Sequence, residues 1–166
     1  MFHTIESFIQ EYTRESDVTL QLLQSLTDES LRQQVAEGYR TIGHLAWHLV
    51  PTNAGLFKET GIQFVSPSLG SEPPASAAVI AESYREAAQN LMNAIRTQWE
   101  DADLQRTANV YGFDWSHGYT LFVFMKHEIH HRGQLTVLMR QAGLPLASVY
   151  GPTKEQWAAF GMAAPV

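Results

Sequence analysis

Apolar residues recur at three- and four-residue intervals along four stretches of this chain, the spacing of helices with one buried side. The first stretch, residues 5–26, carries Ile5, Phe8, Ile9, Tyr12, Leu20, Leu23 and Leu26, with Glu6, Glu11, Arg14 and Glu15 between them. A short capped turn follows from Asp28, and Thr41 is placed to cap the next helix, which should finish near Thr60-Gly61. Pro51 lies inside that second pattern and cannot donate to the carbonyl of Trp47, so a kink or break is expected one turn past His48. A third helix is read over Ser76 to Trp99, with Ile80, Tyr84, Ala87, Leu91 and Ile95 as its buried stripe. The fourth spans about Tyr119 to Ala142, closed by Gly143 and carrying Leu121, Phe124, Met125, Leu135 and Leu138 on its core side.

Between these elements the pattern lapses. Residues 61–75 contain Ser-Pro-Ser-Leu-Gly-Ser-Glu-Pro-Pro, which is loop chemistry without a hydrophobic period. Residues 106–118 mix Val110, Tyr111, Phe113 and Trp115 with Gly112 and Gly118, an irregular or hairpin-like connection. Both connections are expected to line the mouth of any site. After Pro145 comes a loop and a short terminal helix containing Trp157 and Phe160. Four long helices with polar connections predict an all-α, four-helix bundle with a short C-terminal helix, and a length of 166 residues suits a single domain over 1–166.

Seven histidines alter this picture, because five of them fall on two helical stretches. His127 and His131 in His-Glu-Ile-His-His-Arg-Gly-Gln are four apart, so their imidazoles leave one side of a helix a turn apart, as in helical His-x-x-x-His metal sites. His44 and His48 repeat the spacing upstream. Such a pair also occurs as two ordinary hydrogen-bonded histidines, and two rings alone hold a metal weakly. A third ligand would complete a facial three-histidine site with positions left for water or substrate. His48, beside the apolar Leu45 and Leu49, is the best third ligand; His44 could substitute for it or support the site by a hydrogen bond. Gln134, two turns past His127, could also hydrogen-bond near the site. His130 should point about 100° away from His131, toward the surface or an interface. Glu128 reads as a solvated helix charge and Arg132 as a surface or interface cation, with His3 and His117 unassigned.

Composition narrows the chemistry further. There is no cysteine, so disulfides, thiolate nucleophiles and cysteine-ligated clusters are excluded. The net charge of −6 disfavours phosphate backbones and anionic lipid surfaces as partners. Charged residues make up only 17%, a thin charged shell that leaves room for a subunit interface. The N-terminus lacks the basic start and apolar run of a secretory signal, and no stretch is long enough to span a membrane, so a cytoplasmic protein is expected.

The octet from His127 to Gln134 resembles the His-x-x-x-His-Arg-Gly-Gln signature of the DinB-like (YfiT-like) four-helix-bundle proteins. Thr41-Ile-Gly-His-Leu-Ala-Trp-His48-Leu is similar to the segment of that family ending in its first metal-ligand histidine, and Gln141-Ala-Gly-Leu-Pro with Tyr150-Gly-Pro-Thr is similar to its tail. The resemblance implies a bundle with an unusual connection order and one divalent transition metal, nickel or zinc, held by His48, His127 and His131. It further implies a homodimer and a metal-dependent transferase that uses a low-molecular-weight thiol cosubstrate on a small-molecule substrate. A metal-dependent hydrolase would use the same ligands, and a non-catalytic metal-binding or sensing module would close the site with a protein group such as His44. The family name comes from DNA-damage induction and does not imply DNA binding.

Overall fold

The computed structural model describes residues 2–50, 52–68 and 70–165, the side chains of 52–54 excepted. Helix α1 (Ile5–Gln24) starts at Thr4, whose hydroxyl accepts from the Ser7 N–H in a capping box, while Asp101 accepts from the Ile5 N–H at 2.8 Å. A 3-10 turn at Ser30–Arg32 leads into α2 (Ile42–Leu49), capped by Thr41 as its sequence position predicted. Helix α3 (Thr52–Phe57) and a 3-10 turn to Thr60 follow, ended by left-handed Gly61. The break expected at Pro51 falls on a residue outside those described, though α2 stops at Leu49 and α3 begins at Thr52.

Helix α4 (Ala77–Gln98) buries Ile80, Tyr84, Ala87, Leu91 and Ile95, the stripe read from periodicity. The connection at 106–118 is a true hairpin: β1 (Thr107–Val110) pairs antiparallel with β2 (Phe113–Ser116). Its two-residue turn is Tyr111-Gly112, both at positive φ (52° and 86°), as the primed turns that suit strand twist require. Ser116 then caps α5 (His117–Gln141), which ends before left-handed Gly143. The C-terminal segment Lys154–Phe160 is a 3-10 helix.

Helices α1 and α2 each pack against both α4 and α5, making a four-helix bundle around one contiguous apolar core. Close approach is built in at Gly43, where a Cβ would meet the Leu31 carbonyl oxygen at 3.2 Å, so α2 lies tight against the preceding turn. Residues 34–41 form a small closed loop outside that contact: Gln34 bridges to Thr41 and the Ile42 N–H donates to Gln33 O at 2.8 Å. Tyr39 and Arg40 are thereby carried to the start of α2.

The seam between α1 and α5 corrects two expectations. Glu128 is buried, not solvated: it accepts from Thr19 Oγ1 at 2.7 Å, from Tyr12 at 3.3 Å and from Tyr84. Arg132 is only 1% exposed, not a surface cation, and forms an ion pair with Glu15. Its guanidinium also donates to the Glu15 carbonyl at 2.9 Å and to Tyr150 Oη at 2.6 Å. The physical reason is mutual: the middle of α1 presents Glu15 and Thr19 inward, and Arg132 and Glu128 on α5 meet them with complementary charge and hydrogen bonds.

Candidate metal centre

Packing of α2 on α5 sets His48, in the last turn of α2, against His127 and His131 in the middle of α5. Nε2 of His127 lies 3.0 Å from Nε2 of His131 and 3.3 Å from Nε2 of His48. The ligand atoms of the three rings all fall within 4.8 Å of one another, and the group could hold a metal ion. With metal–nitrogen bonds of about 2.0–2.1 Å, two ligand nitrogens sit about 2.9 Å apart at a right angle and about 3.3 Å apart at the tetrahedral angle. The two separations from His127 Nε2 match that range.

Proton counting leads to the same place. A neutral imidazole has one N–H and one lone pair. Nδ1 of His131 donates to Gln134 Oε1 at 2.8 Å, which leaves a lone pair on its Nε2. A proton on His127 Nε2 can satisfy His131, but then no lone pair remains to meet His48. Without that proton, the His127 lone pair confronts the His131 lone pair. With His48 also presenting a lone pair, that single proton would be shared between two acceptors, whereas a cation at the point of convergence accepts from all three rings.

The rings are also held neutral. Burial first, then the charges of His131 and Arg40, lower His48 from 6.5 to about 4. Burial, followed by His131, His48, His130 and Arg40, brings His127 to about 4 as well. His131 is lowered by burial and by His130 and Arg40, with its Gln134 bond opposing them. Three neutral imidazoles at pH 7 are the protonation state a metal requires.

The remaining histidines are elsewhere. His44 is exposed, with Nδ1 on its own N-cap, Thr41 Oγ1, at 2.9 Å; it does not join the cluster. His130 is exposed and meets the Gln134 amide at 3.2 Å. His117 is buried at the start of α5, stacked on Trp99 with ring centroids 4.6 Å apart.

A cavity of about 480 Å³ opens beside His131 and Gln134. Val35, Tyr39 and Arg40 form its outer wall, and among the described residues neither the 61–75 loop nor the hairpin lines it. The expected role of those two connections at this mouth is thus taken by the small 34–41 loop. The 61–75 loop is instead pinned down, its Ser71 accepting from Trp47 Nε1 at 3.0 Å.

A helical bundle with a three-histidine cluster between two of its helices defines the class of protein. The chain belongs to the DinB family, whose model matches residues 1–164. It is 43% identical over 165 residues to the uncharacterized protein YrdA of Bacillus subtilis (strain 168), covering 99% of both chains. A DinB-like protein from Bacillus cereus ATCC 10987 superposes with a TM-score of 0.88 at 39% identity, over 90% of this chain and 100% of that one. The DinB-like protein YjoA of Bacillus subtilis shares the fold, with a TM-score of 0.68 at 18% identity over 89% of this chain and 99% of its own. Among the described residues no helix is long and apolar enough to cross a membrane.

Proposed function

We propose that this chain is a divalent-metal-dependent transferase in which His48, His127 and His131 hold one zinc or nickel ion and a low-molecular-weight thiol is passed to an electrophilic small molecule. The observation that carries this reading is the convergence of three Nε2 atoms beside an open cavity that one of the three rings, His131, lines. A bound ion would supply the positive charge that lowers the pKa of a thiol reaching it. Gln134 holds the His131 ring so that its Nε2 lone pair points at the convergence, and burial keeps His48 and His127 unprotonated. His44 is turned to Thr41, and no described side chain joins the three histidines as a fourth ligand, which favours an open coordination position over the closed site of a sensing module.

One observation favours thiol transfer over hydrolysis. The cavity has no carboxylate among its described lining residues, and Glu128, the acid nearest in sequence, is turned into the α1–α5 seam. On the side of His131 that faces this cavity, no described carboxylate is placed to act as a base for water, which suits a nucleophile brought from outside. The test is zinc- or nickel-loaded protein incubated with 2-mercaptoethanol and monochlorobimane. Conjugation above the rate of the His127→Ala variant is expected; equal rates would sink the transferase reading. Turnover of p-nitrophenyl acetate without thiol, absent in the same variant, would shift the reading to a hydrolase.

A further inference from the structure

The cavity beside the histidines has two kinds of surface. Leu45 and Leu138 form a buried apolar floor, while Val35, Tyr39 and Val137 stand 61%, 68% and 56% exposed at its walls. At its polar end it reaches His131 and Gln134, and among the described lining residues the formally charged one is Arg40. Most other arginines are committed, among them Arg132 to Glu15 inside the bundle, Arg106 to Asp103 and Arg140 to Glu155, while Arg32, which also has no ion pair among the described residues, lies outside this cavity. Arg40 has no ion-pair partner among the described residues, in a chain whose net charge is −6.

We infer that this cavity is the binding site for a small molecule with an apolar body and one carboxylate, the carboxylate pairing with Arg40 and the body lying over Leu45 and Leu138 toward His131. The inference rests on the proposed function for the orientation of the ligand, because it sets the far end of the molecule at the histidine cluster. The recognition itself depends only on the cavity. A guanidinium presents a planar fork that matches a carboxylate, and Tyr39 beside it offers a flat apolar surface for an aromatic or alkyl body. The volume lies within the usual range for small-molecule sites, roughly 300–1,000 Å³.

The probes are 4-phenylbutyrate and its uncharged amide, 4-phenylbutanamide, titrated by NMR into the full chain in both chelator-treated and zinc-loaded form. The acid is expected to bind about fivefold more tightly than the amide, a preference worth about 1 kcal/mol for one ion pair at a cavity rim. Arg40→Gln should bring the two affinities together, and Arg106→Gln should leave the preference intact. Shifts at the methyl resonances of Val35 and Val137 should report both probes. Equal affinities in the wild type, a preference that survives Arg40→Gln, or no shift with either probe would each overturn the inference, the last pointing to a face covered by a second copy of the chain. A preference that persists in a protein unable to bind zinc would leave the inference standing and sink the metal centre.

Discussion

Gln134 works in two directions at once, accepting the His131 Nδ1 proton at 2.8 Å while its amide nitrogen meets exposed His130 at 3.2 Å. Its first bond sets the His131 tautomer, so Gln134→Ala should weaken zinc binding about tenfold to a hundredfold, as loss of a group orienting a ligand does. His130→Ala should change affinity far less, and competition against a chromophoric chelator would separate the two. If both substitutions act alike, the Gln134 bond does not orient a ligand. A pH dependence belongs to the same residues. His48 and His127 are lowered to about 4 in the folded chain but return to about 6.5 when it unfolds, so the unfolded state takes up more protons between those values. Their contribution to the stability of the metal-free protein is therefore complete above about pH 6.5 and is lost as pH falls toward 4. Urea unfolding of chelated protein at pH 7.5, 6.5 and 5.5 should show this decline, and a His48→Gln, His127→Gln variant should show a shallower one. Parallel pH profiles for the two proteins would refute the neutral-ring assignment.

At the level of elements, the α1–α5 seam is held by polar groups where a bundle ordinarily uses apolar ones. Arg132 donates to Thr19 Oγ1 at 3.3 Å, and that hydroxyl donates on to Glu128, so the ion pair and the buried acid belong to one network. Removing one side of a buried pair strands the other, so Arg132→Met should cost about 3–5 kcal/mol. The double variant Glu15→Leu, Arg132→Met should recover most of that loss in urea unfolding; a double variant no better than the single one would show that the network, not the pair, carries the stability. This seam also marks what was legible in the sequence. The helix stripes, the Thr41 cap and the Gly143 terminus followed from three- and four-residue spacing and from backbone rules that need no tertiary knowledge. Glu128 and Arg132 were misread because they were judged by side-chain type. Their positions carried the correct signal: Leu121, Met125, Glu128, Arg132, Leu135 and Met139 step by three and four along one buried side of α5. The His44 position was beyond the sequence for a different reason. Four-residue spacing shows that two rings share a side of a helix, but which of them faces α5 depends on how α2 is rotated in the bundle.

For the whole molecule, the metal site and the fold are separable in a way that can be measured. The apolar core runs through all four helices without passing through the histidine cluster, which lies half-buried at the edge of the α2–α5 contact. Removing metal should therefore leave the bundle folded, while binding should add stability only by mass action. At free zinc about a thousand times the dissociation constant, that linkage is worth about 4 kcal/mol. For a chain of this length each kcal/mol moves the thermal midpoint by roughly 2–4 °C, so chelation should lower it by about 10 °C. Helical circular dichroism at 25 °C should be unchanged. The His127→Ala, His131→Ala double variant should melt at the same temperature with and without chelator, since it has two of the three converging nitrogens removed. Its midpoint is expected near that of chelated wild type. A wild-type midpoint indifferent to both chelator and added zinc would mean that the three rings meet for packing alone. A large loss of helix on chelation would instead mean that the ion is needed to bring α2 against α5, and that the apolar core is insufficient to do so.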